Sequence, residues 1–135
     1  MINSRDIKDL HPYVQGQAKK VIADAKKIGI EILITSTYRD AEYQNWLYKQ
    51  GRTRKGKIVT YAKGGESWHN FRLAFDFVVL HNGKADWGDE KSYLKVRAIA
   101  KKHGLEGLSF ELAHLQARGG LTLAQARAGK EPKFA

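Results

Sequence analysis

The sequence predicts an α+β fold in which helices pack against a small antiparallel sheet. Two long segments, 11–28 and 90–103, repeat apolar residues at three- and four-residue steps, as amphipathic helices do. Two short apolar runs, 30–35 and 74–80, fit buried strands. A tight-turn sequence, His-Asn-Gly at residues 81–83, follows the second run and predicts a hairpin, whose two strands are antiparallel.

The first helix is predicted over residues 11–28, and Gly29 supplies its stop. Its apolar positions are Val14, Ala18, Val21, Ile22, Ala25 and Ile28. The run 30–35 is rich in β-branched side chains and predicts a strand that leads into a turn over residues 36–39. Asp40 can cap a second helix that ends near residue 50. The apolar positions of that helix are Ala41, Tyr43, Trp46 and Leu47.

Residues 51–66 predict a long loop, because glycines and cations dominate this stretch. They are Gly51, Gly56, Gly64 and Gly65, with Arg52, Arg54, Lys55, Lys57 and Lys63. A loop of this length is uncommon unless it has a function. Its cations form a solvated surface by default, but the loop precedes a histidine motif and could form a rim that binds anionic groups.

The strand 74–80 leads through the hairpin turn into residues 84–87. A helix is then predicted over residues 90–103, with Gly104 in place to end it. The side chains predicted to face inward are Tyr93, Leu94, Ala98, Ile99 and Ala100. This second hairpin strand and helix complete the elements that alternate along the middle of the chain.

The last part of the chain predicts a short strand over residues 108–115 and a brief helix over residues 123–128. Thr122 with Gln125 three residues later forms a capping-box pattern for that helix. No internal repeat, low-complexity tract or linker divides the sequence, and 135 residues are within the range of one domain. We therefore predict a single domain over residues 1–135.

Composition limits the kinds of site that the chain can form. There is no cysteine, so a metal would have to be bound by imidazole and carboxylate groups. Lysine and arginine outnumber acidic residues 24 to 14, which gives a formal charge of +10 and favours polyanionic partners. This charge would attract nucleic acid, anionic cell-wall polymers, lipopolysaccharide and phospholipid surfaces alike. The first ten residues contain no apolar run, and we expect a chain made in the cytoplasm without signal peptide or transmembrane segment.

Two pairs of residues carry candidate chemistry. His69 precedes Asp76 by seven residues, and that aspartate falls within an otherwise apolar strand, where an uncompensated carboxylate costs several kcal/mol. A metal ion or a structural arginine would each compensate it, and this spacing alone gives the two explanations about equal weight. Further on, Glu111 and His114 lie three residues apart in apolar surroundings.

Together these four residues could form a hydrolytic zinc site. Zinc in hydrolases commonly takes three protein ligands and leaves one position for a water, while a neighbouring carboxylate can move the proton of that water. Arg39 follows the first predicted strand on a turn, where its cation could stabilise a developing oxyanion, a contribution of about 3 to 4 kcal/mol for a well-placed donor. Spacing alone favours a surface arginine instead.

The motifs resemble the family of zinc D-Ala-D-Ala carboxypeptidases and L-alanyl-D-glutamate endopeptidases that includes small phage endolysins. The similarity keeps the order of the family and covers nearly the whole chain. The segments that carry it are Ser36-Thr-Tyr-Arg39-Asp40, Gly51-Arg-Thr, Ile58-Val-Thr, Gly64-Gly-Glu-Ser-Trp-His69-Asn, Ala74-Phe-Asp76-Phe, Glu111-Leu-Ala-His114-Leu-Gln116 and Leu121-Thr-Leu-Ala.

The resemblance implies the LAS-type fold, which is hedgehog-like and D,D-peptidase-like, with zinc in an open cleft at the edge of the sheet. It implies His69, Asp76 and His114 as zinc ligands, Glu111 as the catalytic base and Arg39 as the group that polarises the scissile carbonyl. The residues expected to line the substrate groove or to support the ligands are Ser67, Trp68 and Gln116. The remaining histidines, expected to be structural or solvent-facing, are His11, His81 and His103.

The chain departs from the family pattern at three places. Arg72 stands where the family usually has glycine, so the turn could differ or a further charge could face the cleft. The stretch 105–110 is shorter than the usual loop, and Ala113 replaces a frequent proline. Glu111 is found in carboxypeptidase relatives, whereas the endopeptidases often carry aspartate there. The bond that is cut therefore stays open.

The predicted function is that of a monomeric phage endolysin, a bacteriolytic zinc peptidase that hydrolyses the L-alanyl-D-glutamate bond of peptidoglycan stem peptides. It would be made in the host cytoplasm and would reach the wall after the membrane is permeabilised, with its positive charge holding it near anionic envelope polymers. One alternative is a D-alanyl-D-alanine carboxypeptidase or dipeptidase. Another, of a different class, is a basic polyanion-binding domain without catalysis, although no nucleic-acid-binding signature is recognisable.

Overall fold

The computed structural model describes residues 1–134 and confirms an α+β architecture with an antiparallel sheet. The strands are β1 (Glu31–Ser36), β2 (Ala74–His81), β3 (Lys84–Asp86), β4 (Glu106–Leu108) and β5 (Glu111–Gln116). The α-helices are α1 (Pro12–Lys27), α2 (Ala41–Lys49), α3 (Glu90–Lys102) and α4 (Leu123–Arg127). Two short 3-10 helices cover Ile7–Asp9 and Trp68–Phe71. None of the helices within residues 1–134 is long and apolar enough to cross a membrane.

Strand β2 lies inside the sheet and organises it. The strand order is β1-β2-β5-β4, and every pairing is antiparallel. Strand β1 pairs along the length of β2, whereas β5 pairs with residues 74–76 of β2 and β3 with residues 79–81. In this register Asp76 lies between Ser36 of β1 and His114 of β5. Residue 76 is therefore surrounded by neighbouring strands on both sides.

The two faces of the sheet have different surroundings. Because successive side chains of a strand point to opposite faces, Phe75, Phe77 and Val79 share one face of β2 and Asp76 lies on the other. The three apolar side chains are fully buried in a core that α1 and α3 help to form. The core residues of those helices are Val14, Ala18, Val21, Ala25, Tyr93, Val96 and Ala100. Asp76 therefore lies on the face away from the main core.

The predicted elements are found with small shifts in their bounds, but several predicted core positions are wrong. Ile28 is 56% exposed, because α1 ends one residue before it, and Leu94 is 48% exposed on α3. Ala98, Ala41 and Trp46 are also exposed. On α2 the buried residue is Gln44 instead of an apolar one. The spacing of apolar residues predicted which side of each helix is buried, but it also included exposed positions next to the buried row.

The segment 51–66 is free of helices and strands, as predicted, and it packs against α2. Gln44 donates from Nε2 to the carbonyl of Ala62 at 2.9 Å, and the Oδ1 atom of Asn45 accepts from the backbone of Gly64 at 2.8 Å.

The prediction of one strand over residues 108–115 was incomplete, because β4 and β5 form a hairpin there. Residues of the segment 51–66 and of this hairpin line the cleft described below.

Candidate metal centre

Three side chains from separate segments meet on the face of the sheet away from the main core. His69 comes from the 3-10 helix Trp68–Phe71, Asp76 from β2 and His114 from β5. Each offers a donor atom, and the three donor atoms lie within 4.8 Å of one another. The Oδ1 atom of Asp76 is 3.2 Å from Nε2 of His69 and 3.2 Å from Nδ1 of His114. The predicted ligand set is therefore assembled as a group that could hold a metal ion.

Strand pairing and a capped turn place these side chains. Asp76 and His114 are directly opposite each other in the β2–β5 register. Ser67 caps the 3-10 helix, and the Nδ2 atom of Asn70 donates to the carbonyl of Arg39 at 3.0 Å. The backbone of Arg39 in turn donates to the carbonyl of His69 at 3.1 Å. The short helix that carries the first histidine is thus fastened to the turn that follows β1.

The group lies on inner strands of the sheet, so the expected position at the sheet edge was wrong. Strands β2 and β5 are neighbours in the middle of the order β1-β2-β5-β4. His69 and His114 are only 2% and 4% exposed. Loss of solvent around the three donors strengthens their interaction with any bound cation.

The outer nitrogen of each ring has a partner that fixes the tautomer of the neutral histidine. Nδ1 of His69 is 2.8 Å from the carbonyl oxygen of Thr37, which can only accept a hydrogen bond. Nε2 of His114 is 2.8 Å from Oε1 of Gln116, whose amide donates to Glu106 at 3.2 Å. Both rings therefore carry their proton on the outer nitrogen, and their inner nitrogens present lone pairs to Asp76.

Two inner lone pairs and one carboxylate oxygen then converge with no hydrogen between them. Such a set of acceptors is repulsive when both histidines are neutral, because each contact brings two electron-rich atoms to 3.2 Å. A proton or a metal cation between the donors would remove that repulsion. The hydrogen-bond partners of the outer ring nitrogens set the orientation of each ring, as such partners usually do for metal-binding histidines. The inner ring nitrogens are therefore the atoms placed to bind a cation.

The pKa values of the group show the same attraction for a positive charge between the three side chains. Burial acts to raise the pKa of Asp76, but the positive charge and hydrogen bond that His69 and His114 provide when a proton occupies their inner nitrogen outweigh burial and hold that pKa well below its usual range. Burial lowers the pKa of His69, which favours the neutral ring. Burial also acts to lower the pKa of His114, but the hydrogen bond and charge of Asp76 raise it. Asp76 is therefore ionised at neutral pH.

Arg39 lies beside this group. Its Nη2 donates to Oδ2 of Asp76 at 2.9 Å, and its Nε donates to Oγ of Ser36 at 3.2 Å. The guanidinium therefore occupies the outer oxygen of the carboxylate and leaves Oδ1 to the histidines. The alternative that spacing alone favoured, a surface arginine, does not apply, because the side chain of Arg39 is only 17% exposed.

A cleft of about 740 Å³ opens in front of the group. Glu111 lies on its wall and is exposed, at the first residue of β5. The other predicted site residues on the wall are Arg39, Ser67, Trp68, His69, His114 and Gln116. The cleft is also lined by residues 58–62, by Leu108 at the end of β4 and by Phe110 of the turn that follows. Seven of the eight predicted site residues thus line one space, and the eighth, Asp76, is 13% exposed and contacts both histidines of the wall.

The departures at Arg72 and at 105–110 have local explanations. Arg72 adopts the left-handed conformation, with φ of 64°, that glycine would otherwise provide. Its guanidinium lies 3.9 Å from the ring centroid of Tyr38 and donates to the carbonyl of Asp9 at 2.9 Å. The turn is therefore retained, and the added charge is bound elsewhere than in the cleft. The segment 105–110 forms β4 and a turn, whose Phe110 is 82% exposed.

The other histidines make the structural contacts expected of them. Nδ1 of His11 caps α1, and Nε2 of His103 is 2.7 Å from Asp24. His81 is 2.7 Å from Asp89, and these two with Asp86 form a second group close enough to share a cation. Asp89 also caps α3 through Ser92, so its oxygens already have partners that explain this cluster.

The fold and the site define a protein with a largely buried His-Asp-His group at a cleft on an antiparallel sheet. The model of the VanY family, described as D-alanyl-D-alanine carboxypeptidase, matches residues 7–119. The chain belongs to this family.

The relatives found include the peptidoglycan L-alanyl-D-glutamate endopeptidase CwlK of Bacillus subtilis. It is 44% identical over 113 residues, which cover 73% of this chain and 64% of the relative. The chain thus spans somewhat less than two thirds of that relative.

Solved structures with the same fold include the LD-carboxypeptidase LdcB, with a TM-score of 0.66 and 23% identity over 80% of this chain and 58% of LdcB. Another is the vancomycin resistance D,D-pentapeptidase VanY in complex with Zn(II). Its TM-score is 0.63 and its identity 15%, over 88% of this chain and 76% of VanY. At these identities the two structures establish the shared fold.

Proposed function

We propose that this chain is a zinc-dependent peptidoglycan peptidase that hydrolyses the L-alanyl-D-glutamate bond of the stem peptide. The observation that carries the proposal is the convergence of Nε2 of His69, Oδ1 of Asp76 and Nδ1 of His114 beneath an open cleft. Two imidazoles and one carboxylate, without cysteine, are a typical ligand set of catalytic zinc. When bound, zinc supplies Lewis acidity, which polarises a carbonyl group and lets a water ionise near neutral pH.

Glu111 is proposed as the catalytic base. It lines the same cleft as the two histidines, and its charge is close enough to His114 to raise the pKa of that ring. It belongs to β5, three residues before His114, and is not one of the three converging ligands. A carboxylate in this position can accept the proton of the attacking water and then donate it to the leaving amine.

Arg39 is proposed to act on the substrate carbonyl while it holds Asp76. Its Nη2 and Nε are already engaged with Asp76 and Ser36, which fixes the guanidinium at the cleft wall. A fixed cation beside a developing oxyanion contributes about 3 to 4 kcal/mol in favourable cases. Ser67 and Trp68 are proposed as substrate-binding residues, because both lie on the cleft wall beside His69.

Gln116 is proposed to set the affinity for the metal through His114. We expect Gln116→Leu to weaken zinc binding about 10- to 100-fold, because the outer nitrogen of His114 loses its acceptor and the ring is free to change tautomer. Competition with a chromogenic chelator measures this affinity directly. Gln17→Leu on α1, on the other side of the sheet, is the matched control and should bind zinc as wild type does.

The bond that is cut is proposed from the named activity of the 44% identical relative CwlK. The rival is a D-alanyl-D-alanine carboxypeptidase, which the family description and the glutamate at position 111 favour. Purified muropeptides incubated with the protein separate the two by mass. We expect release of the stem peptide that begins with D-glutamate, whereas loss of a single terminal alanine would overturn the endopeptidase assignment. A muropeptide left intact with zinc present would favour the binding domain without catalysis.

The biological setting is a further part of the proposal. We propose that residues 1–135 act as one monomeric catalytic domain of the phage endolysin type, made in the host cytoplasm and active on the wall after membrane permeabilisation. The +10 charge supports contact with anionic envelope polymers. Lysis of cells stripped of their outer membrane, followed as loss of turbidity with and without chelator, tests the bacteriolytic activity.

A further inference from the structure

Positive charge is concentrated in one segment that borders the cleft. Between Glu42 and Glu66 the sequence has no acidic residue. It has six cations there, Lys49, Arg52, Arg54, Lys55, Lys57 and Lys63. None of these six is among the ion pairs formed within residues 1–134, whereas Arg39, Arg72 and Arg118 each have an acidic partner. Five of the six are exposed and Arg54 is half-buried, so this part of the protein carries six cations without an acidic partner among residues 1–134.

The two arginines among these six cations are held in place by aromatic rings and by helix α2. The guanidinium carbon of Arg52 lies 3.7 Å from the ring centroid of Tyr48, and that of Arg54 lies 3.6 Å from the ring of Trp46. Arg52 also donates to the carbonyl of Tyr48, and Arg54 donates to the carbonyl of Trp46 at 3.0 and 3.2 Å. Arginine side chains fixed in this way lose less conformational freedom when they bind a carboxylate.

The contacts form two clusters at the C-terminal end of α2, one of Arg52, Tyr48, Tyr61 and Lys63 and the other of Arg54 and Trp46. We call the six residues of these two clusters together the cationic surface. Tyr61 connects it to the cleft, because this residue lines the cleft and its ring lies 5.7 Å from the guanidinium of Arg52. The ring of Tyr61 is also 83% exposed, so it can pack against a bound molecule. A polymer that enters the cleft past Tyr61 would meet these arginines.

We infer that the cationic surface is a second binding surface for the wall polymer, where carboxylates of stem peptides next to the one being cut are bound by Arg52 and Arg54. The inference rests on the proposed function, because it takes peptidoglycan as the polymer in the cleft. A stem peptide that contains glutamate carries a free carboxylate, which the guanidinium nitrogens not bonded to α2 can bind by charge-assisted hydrogen bonds. The cationic surface continues into the cleft, so we expect it to bind the same polymer that reaches the proposed zinc ligands. This continuity favours peptidoglycan over nucleic acid.

Binding to purified sacculi, freed of protein and teichoic acid, tests the surface. The measurements use the Glu111→Gln background, so that the polymer is not cut while it is bound. We expect Arg52→Gln/Arg54→Gln to bind sacculi about tenfold more weakly at ~0.1 M salt, with a smaller salt dependence than its parent. Lys19→Gln/Lys20→Gln removes the same charge from exposed positions on α1 and should change binding less than twofold.

A second double variant controls for a folding defect that loss of the stacked arginines could cause. Lys55→Gln/Lys57→Gln removes two exposed charges of the same segment without touching a ring, and we expect about threefold weaker binding. Sacculi whose carboxylates are amidated should bind the parent as weakly as native sacculi bind the Arg52→Gln/Arg54→Gln variant. The inference is overturned if all of these proteins bind sacculi equally, or if the arginine variant loses affinity only for a DNA duplex or for teichoic acid.

The outcome separates this inference from the proposed function. Release of peptides from muropeptides by the wild-type protein tests catalysis and does not require the cationic surface. If peptides are released but the arginine and α1 variants bind sacculi alike, the surface assignment fails and the peptidase stands. If no peptide is released but binding depends on the arginines, the surface stands as a wall-binding site and the peptidase assignment fails.

Discussion

Glu111→Gln is expected to lower kcat for muropeptide cleavage by about 10²- to 10⁴-fold while the protein keeps its metal. The amide of glutamine has nearly the same shape as the carboxylate but cannot accept and return a proton, and a positioned acid or base contributes a factor of this size. Glu111 is exposed on the cleft wall and is not one of the three converging ligands, so its replacement leaves the ligand set intact. Steady-state rates from chromatographic separation of the products, together with the metal content per chain, measure both parts.

The control for this prediction is Glu31→Gln, an exposed glutamate at the start of β1. It removes the same charge and should keep the rate of wild type. Loss of zinc from Glu111→Gln, in parallel with loss of activity, would contradict the role of base and make Glu111 a ligand. An active Glu111→Gln protein would show that another group moves the proton.

His69→Ala and His114→Ala are each expected to abolish bound zinc and to reduce cleavage to background, a loss of at least about 10³-fold. With one ligand removed, two donors are left, which is fewer than the three that catalytic zinc sites use. Each side chain is almost fully buried, so its removal also leaves a space beside Asp76. Metal analysis after gel filtration and the rate of muropeptide cleavage are the two measurements.

Chelation of the wild-type protein provides the second half of this test. Removal of the metal should abolish cleavage, and added Zn²⁺ should restore it in wild type but not in either variant. His81→Ala is the matched control, because His81 also lies beside a carboxylate but is 55% exposed and far along the sheet from the cleft. Equal loss of metal from His81→Ala would place the zinc in the hairpin group instead.

The sequence predicted the elements of the fold well, since their signals are local. The capping residues Asp40 and Thr122, for instance, act on the backbone of the next turn and can be recognised from spacing alone. The burial of Gln44 and the exposure of Leu94 could not be predicted, because they depend on which elements pack against each helix. Strand β4 was missed for a similar reason, as only its pairing with β5 makes three residues extended.

The site shows the same division between local and tertiary information. The ligand candidates were found from residue types and from a family pattern, and no pattern in the sequence shows that Asp76 and His114 are opposite each other across two strands. The partners of the outer ring nitrogens were only partly visible. Gln116 belongs to the quoted motif, whereas the acceptor of His69 is a backbone carbonyl, that of Thr37, which carries no signal in its side chain.

Glu106 and Arg118 were not predicted either. The amide of Gln116 donates to Glu106, which also pairs with Arg118, so a chain of contacts runs from His114 to the protein surface. Glu106 belongs to the strand that the sequence did not reveal, and its partner lies beyond β5. The signal that could have identified them is the need of a side-chain amide for a fixed orientation, which becomes evident only once the fold is known.

The convergence of three acceptor atoms within the sheet has a consequence for the stability of the protein. A cation held there would link the 3-10 helix Trp68–Phe71, the inner strand β2 and the last strand β5, and it would cancel the repulsion between the three acceptor atoms. Bound metal then stabilises the native state by mass action, by about 4 kcal/mol at a thousandfold excess over its Kd. Resistance to heat and proteolysis would accordingly follow the free zinc concentration of the surroundings as closely as the catalytic rate does.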